Sequence, residues 1–85
     1  MSDRTRVKVA ARMYETQDTM RTVMGDDYEA KAKPYRDAIL YVMGRDECSA
    51  LAAVTAIANE TDVKSNGIAM GMLVAASVDV IEGDR

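Results

Sequence analysis

Two stretches of this chain have no polar face. Residues 49–59 read Ser-Ala-Leu-Ala-Ala-Val-Thr-Ala-Ile-Ala-Asn, and residues 66–77 read Asn-Gly-Ile-Ala-Met-Gly-Met-Leu-Val-Ala-Ala-Ser. A helix that is apolar all round must be covered all round. In a chain of 85 residues little sequence remains to supply the cover, and a domain of this size buries only about 60–65% of its unfolded surface. The pattern therefore predicts self-association. The large apolar residues are scarce as well: there is no Phe or Trp, four Tyr, and seven Met, a residue that fills irregular gaps.

The rest of the chain reads as helices with short connections. Over residues 4–24, Val9, Met13, Thr16, Met20 and Val23 or Met24 recur at three- and four-residue steps, the spacing of one helix face, and Gly25 is a natural stop. Residues 4–9 and 77–82 also carry a β-branched alternation, so a short terminal β pairing is the minor alternative. Gly25-Asp26-Asp27 is a turn, with Asp26 and Glu29 in a capping arrangement, and residues 28–33 form a short helix. Pro34 disfavours helical geometry at Lys33 and suits the first position of a new helix over 35–43. The stripe of that helix is Tyr35, Ala38, Ile39 and Val42; one helix kinked at Pro34 is the alternative.

Asp46 is placed to cap a helix over 47–59. Leu51, Val54, Ile57 and Ala58 form its bulky face, and Ser49, Ala52, Ala53 and Ala56 its thin one. After a polar loop over 61–66, Ser65 or Asn66 can cap a last helix over 67–82. The expectation is an all-α single domain over residues 1–85: a small four-helix bundle of two helical hairpins, as a homodimer. Gly67, Gly71 and Ala75 recur every four residues and leave a groove for close helix approach. With Met70 and Val74 they form the expected oligomer interface, since one hairpin partner cannot hide all the bulky residues of this helix.

The inventory for chemistry is thin. There is no His, the usual general base and commonest metal ligand. Cys48 is the only thiol, so no internal disulfide forms, and nothing nearby activates it. The clusters Asp26, Asp27, Glu29 and Asp46, Glu47 lack the spacing of a calcium loop and read as helix-start acids. No nucleotide fingerprint occurs. No catalytic residue, cofactor or metal is expected. The longest apolar stretch, residues 67–78, falls short of the ~20 residues that span a bilayer, and the N-terminus has no apolar run behind its charges, so a cytoplasmic protein is expected.

Charge is unevenly spread. The net charge is −3, yet residues 1–45 hold nine Lys/Arg against seven Asp/Glu, and residues 46–85 hold two against seven. Arg4, Arg6, Lys8 and Arg12 form a basic run without an acid between them, suited to an anionic partner. Lys31, Lys33 and Arg36 surround Pro34 and Tyr35; a phosphate or a stacked base would fit such a group, though a solvated basic loop explains it more simply. These features point to a non-catalytic helical interaction protein that binds and modulates or inhibits another protein, of the kind small bacterial or phage accessory proteins supply. The alternative is a nucleic-acid or nucleotide-binding module using the basic half, which the overall acidity disfavours.

Overall fold

The last apolar segment is covered by the chain itself. In the computed structural model, which describes residues 2–83, it forms α4 (Gly67–Gly83), preceded by α1 (Asp3–Met24), α2 (Tyr28–Asp46) and α3 (Ala50–Glu60), with 3₁₀ turns at Gly25–Asp27 and Asp62–Ser65. Ala75, Ala76, Ser77 and Val78 are consecutive and all buried. At about 100° per residue they look out in every direction, so α4 is enclosed. Its cover is α1, α2 and α3, each packed against it, whereas α1 and α3 do not meet. Much of the apolar surface of this segment is thus covered within one chain, while Ile68 and Ile81 of α4 and Leu51 of α3 stay exposed.

The fold is all-α, and no strand occurs among the described residues. The segments 4–9 and 77–82, read as an alternative β pair, are both helical. The expected two hairpins are not what forms. From Asp3 to Asp46 helical turns follow one another over 44 residues with no loop between them, broken in direction only at the 3₁₀ turn Gly25–Asp27. A straight helix of that length would reach about 66 Å, but the longest extent of the molecule is 35 Å. The reversal falls at Gly25, whose φ of 56° and ψ of −130° mirror the extended region and suit only a residue without Cβ. A Cβ there would meet nothing within 4 Å, so the backbone alone demands glycine.

Each helix end has an identifiable cause. Ser2 Oγ accepts from the Thr5 N–H at 3.3 Å to start α1. Pro34 lies inside α2 rather than at the head of a new helix. The anchors Tyr28 and Ala32 before it and Ile39 and Val42 after it are buried, and that packing outweighs the roughly 3 kcal/mol that an interior proline costs. Ala30, whose carbonyl loses its N–H donor, is exposed and turns to solvent. Gly44 does not end α2; the helix runs to Asp46 and stops at Glu47 in the left-handed region, φ 51°. Asp46 is not a cap either: it is the last residue of α2, and its carboxylate pairs with Arg45 at 2.8 and 2.9 Å. Ser49 caps α3, its Oγ accepting from the Ala52 N–H at 3.2 Å. Asn66 Oδ1 caps α4 through the N–H groups of Ile68 and Ala69, both at 3.1 Å. Thr61 caps the 3₁₀ turn that replaces the expected loop.

Two clusters make up the core. The larger joins α2, α3 and α4 through Ile39, Val42, Ala50, Ala53, Val54, Leu73, Ala76 and Val80. The smaller holds Tyr28, Ala32, Met72 and Ala75, with Met20 and Met24 of α1 packed on it. The inward face of α3 thus lies between the two expected faces: Ala50 and Ala53 go in, while Leu51 is 45% exposed at the rim. Short side chains let the α3 backbone come close to α4. The stripe of α1 is as expected with Met24 as its last member, Val23 facing solvent, but it covers α4 and not α3.

At Gly71 a side chain of α1 lies directly against the α4 backbone. A Cβ on it would lie 3.0 Å from Met20 Cε. Gly71→Leu is therefore expected to destabilise the fold by about 1–3 kcal/mol through overpacking, and Met20→Ala in the same chain to recover part of the loss. Urea unfolding of the two single variants and the double variant checks this; simple addition of the two losses would show that the residues do not share the contact.

Candidate functional site

A charged residue inside an enclosed helix must be paired, and Asp79 on α4 is paired from two sides. Oδ1 accepts from Gln17 Nε2 at 2.6 Å and from an Arg21 NH2 group at 2.9 Å, both on α1. Oδ2 accepts from the Tyr28 hydroxyl at 2.7 Å and from an Arg36 NH1 group at 3.3 Å, both on α2. Each oxygen thus ties a different helix to α4. Gln17 is 3% exposed and the Asp79 side chain 10%. Arg36 also reaches the Glu29 carboxylate at 3.1 Å, and the Arg21 guanidinium lies over the Tyr28 ring, 5.4 Å from its centre.

Burial, and then the hydrogen bond to Asp79, push the Tyr28 phenol up to about 12 from an ordinary 10.0. For Arg21, burial works against the charge, but Asp79 more than compensates and the guanidinium is held above its usual value. Every buried side-chain nitrogen and oxygen among the described residues has a partner. The cluster is a satisfied structural junction: its carboxylate has no free lone-pair direction for proton transfer, and its cations face acids. Composition alone does not reveal it. The signal was Asp79 itself, one carboxylate in an otherwise apolar segment, facing Gln17 and Arg21 one turn apart on α1.

The basic residues separate into two groups. Arg4, Arg6, Lys8 and Arg12 are all exposed, and none is ion-paired among the described residues. Arg4, Lys8 and Arg12 stand four residues apart on the face of α1 turned from α4. Lys31, Lys33 and Arg36 do not converge. Lying on one continuous helix, they point in different directions; Lys33 pairs with Asp37 at 3.0 Å, Arg36 belongs to the Asp79 junction, and Lys31 is exposed beside Pro34, Tyr35 and Ile68. With no helix start at this point, the phosphate reading loses its N–H donors.

The small-residue stripe has its own occupants. Gly71 lies beneath Met20, and Ala75 is fully buried with Tyr28, Ala32 and Met72. Gly67 is open. Met70 and Val74 are half-buried against the larger cluster. Met70, Gly71, Val74 and Gly67 also line a shallow groove of about 540 Å³ between α1 and α4, with Glu15 and Lys64 on its rim. Cys48 is half-buried, its thiol donating to the Val42 carbonyl at 3.8 Å. Among the described residues no three His, Cys, Asp or Glu side chains are grouped to hold a metal ion, and no helix is long and apolar enough to cross a membrane. Comparison with family models, curated proteins and solved structures gives no match.

The Tyr28 phenol provides a pH test. Its value in the fold, about 12, lies above the ordinary 10.0, so the folded state holds the proton more tightly. Its contribution to stability is complete below pH 10 and is lost as the pH rises toward 12. Wild-type stability is expected to fall more steeply than that of Tyr28→Phe over this window, and absorbance titration to show one phenol ionising near pH 12 that is missing in the variant. Equal slopes in the two proteins would contradict the assignment.

Proposed function

We propose that this protein is a non-catalytic interaction module that engages an acidic surface of another protein through the leading turns of α1 and thereby modulates it. The observation that carries this reading is the unpaired basic face. Residues 2–8 are exposed without exception, and Arg4, Lys8 and Arg12 span about 12 Å of a rigid helix. Cations held on a helix lose little freedom on meeting an acidic partner, and complementary charge speeds and orients encounter. Val7, 68% exposed, adds an apolar contact beside this basic row, and protein interfaces combine apolar and charged groups in this way.

The remaining surface supports the same class. The buried titratable cluster around Asp79 is occupied by hydrogen bonds between the helices. A net charge of −3 opposes a polyanion as long as nucleic acid, which leaves a local acidic patch as the better fit. Working as a homodimer and acting in the cytoplasm as an accessory or inhibitory protein are further parts of this proposal.

A photocrosslinker placed at Val7 tests it in a bacterial lysate. A discrete protein adduct is expected, weakened at least about tenfold by Arg4→Glu/Lys8→Glu/Arg12→Glu and retained in Lys31→Glu. Adducts that vanish on nuclease treatment would replace this reading with the nucleic-acid one, and adducts indifferent to charge reversal would remove the basic face from the interaction.

A further inference from the structure

We infer that the chain can exchange α1 with a second copy of itself, giving a two-fold dimer in which α1 of each protomer lies on α4 of the other and completes its Asp79 junction. This exchange is independent of any acidic partner.

The reversal between α1 and α2 is concentrated in one residue. Met24, at φ −83° and ψ −23°, and Tyr28, at φ −55° and ψ −49°, are helical, and Asp27 is in the same region; Gly25 alone is not. Turning Gly25 into the helical well joins α1, the 3₁₀ turn and α2 into one continuous helix of about 66 Å along its axis. The hinge is thus the φ and ψ of a single residue, and its open form is a continuous helix.

Release of α1 removes Met20 and Met24 from the smaller cluster but leaves the larger one whole. The larger core cluster contains residues of α2, α3 and α4 and none of α1. What release exposes is specific: Asp79 Oδ1 loses both donors, Gln17 and Arg21, and Gly71 loses the Met20 side chain that fills its notch. A carboxylate that is only 10% exposed cannot be left without those donors at low cost. The segment whose side chains fit this gap in every detail is another α1. Each contact of the closed monomer is then remade between copies, and the two forms differ mainly in the hinge. Near the two-fold axis the straightened helices pass each other, and Val23, 63% exposed beside the hinge, gains cover there.

Gly25→Ala tests the exchange because alanine disfavours the bent hinge and favours the straight one. Its dimer association constant is expected to rise at least tenfold over wild type in light scattering across a concentration series. The position of α1 is read by cysteines at Met20 and Gly71 in a Cys48→Ser background, since Met20 Cγ stands 3.6 Å from a Cβ built on Gly71. Oxidation of the Gly25→Ala dimer should link two chains covalently, whereas dilute wild-type hinge should close the bond within one chain. A Gly25→Ala protein that folds and stays monomeric at millimolar concentration would overturn the proposal, as would a dimer whose bonds close only within chains. If Gly25→Ala does not fold, the double-cysteine protein with its native hinge is refolded at millimolar concentration; covalent dimers support the exchange and their absence overturns it.

Discussion

One carboxylate, that of Asp79, decides how the helices of this protein sit together. It projects from the enclosed helix α4 and gives one oxygen to α1 and the other to α2. Hydrogen bonds from neutral donors to a charged acceptor contribute about 1.5–3 kcal/mol each, and those from buried Gln17 and Tyr28 are of this kind. The Arg21 ion pair adds less, because its side chain is 49% exposed and exposed pairs are worth about 0–1 kcal/mol. The directional bonds also fix register. Leu, Met and Ala side chains tolerate a helix sliding by a fraction of a turn, but a carboxylate with defined donors on both sides does not.

Around this junction the molecule has two parts of different character. Helices α2, α3 and α4 share the larger apolar cluster. Helix α1 is joined to them by the smaller cluster, by Met20 over Gly71 and by two hydrogen bonds to Asp79. Its first residues are exposed, and they carry cations that no acid among the described residues neutralises. The helix that carries the exposed cations thus meets the others almost entirely through α4, and a single glycine sets its direction.

The sequence revealed the class of fold and most of the helix faces, because periodicity reports which side of a helix is buried. The stripe of Val9, Met13, Thr16 and Met20 is an example. Boundaries set by one residue against another were harder. Pro34 argued for a new helix, yet anchors on either side of it hold α2 continuous, which is a tertiary effect with no local trace. Ser49 rather than Asp46 caps α3, since α2 runs on through Asp46 and α3 begins only at Ala50. Gly67, Gly71 and Ala75 were recognised as a place for close approach, but periodicity cannot say whose helix approaches, and Met20 of the same chain takes that place at Gly71. The Asp79 junction was hidden for a related reason: its donors are 43 to 62 residues away in sequence. The exposed basic run was legible outright, because it depends on composition and not on packing.

If Asp79 is what holds α1 in place, loosening it should affect α1 selectively. Native-state hydrogen exchange on Asp79→Asn measures this most directly. Amides of α1 over residues 17–24 are expected to lose protection by about tenfold to a hundredfold, the equivalent of one or two weakened charge-assisted hydrogen bonds, while those of Ile39, Val54 and Leu73 keep theirs. An equal loss in all four helices, or no change in α1, would contradict the account.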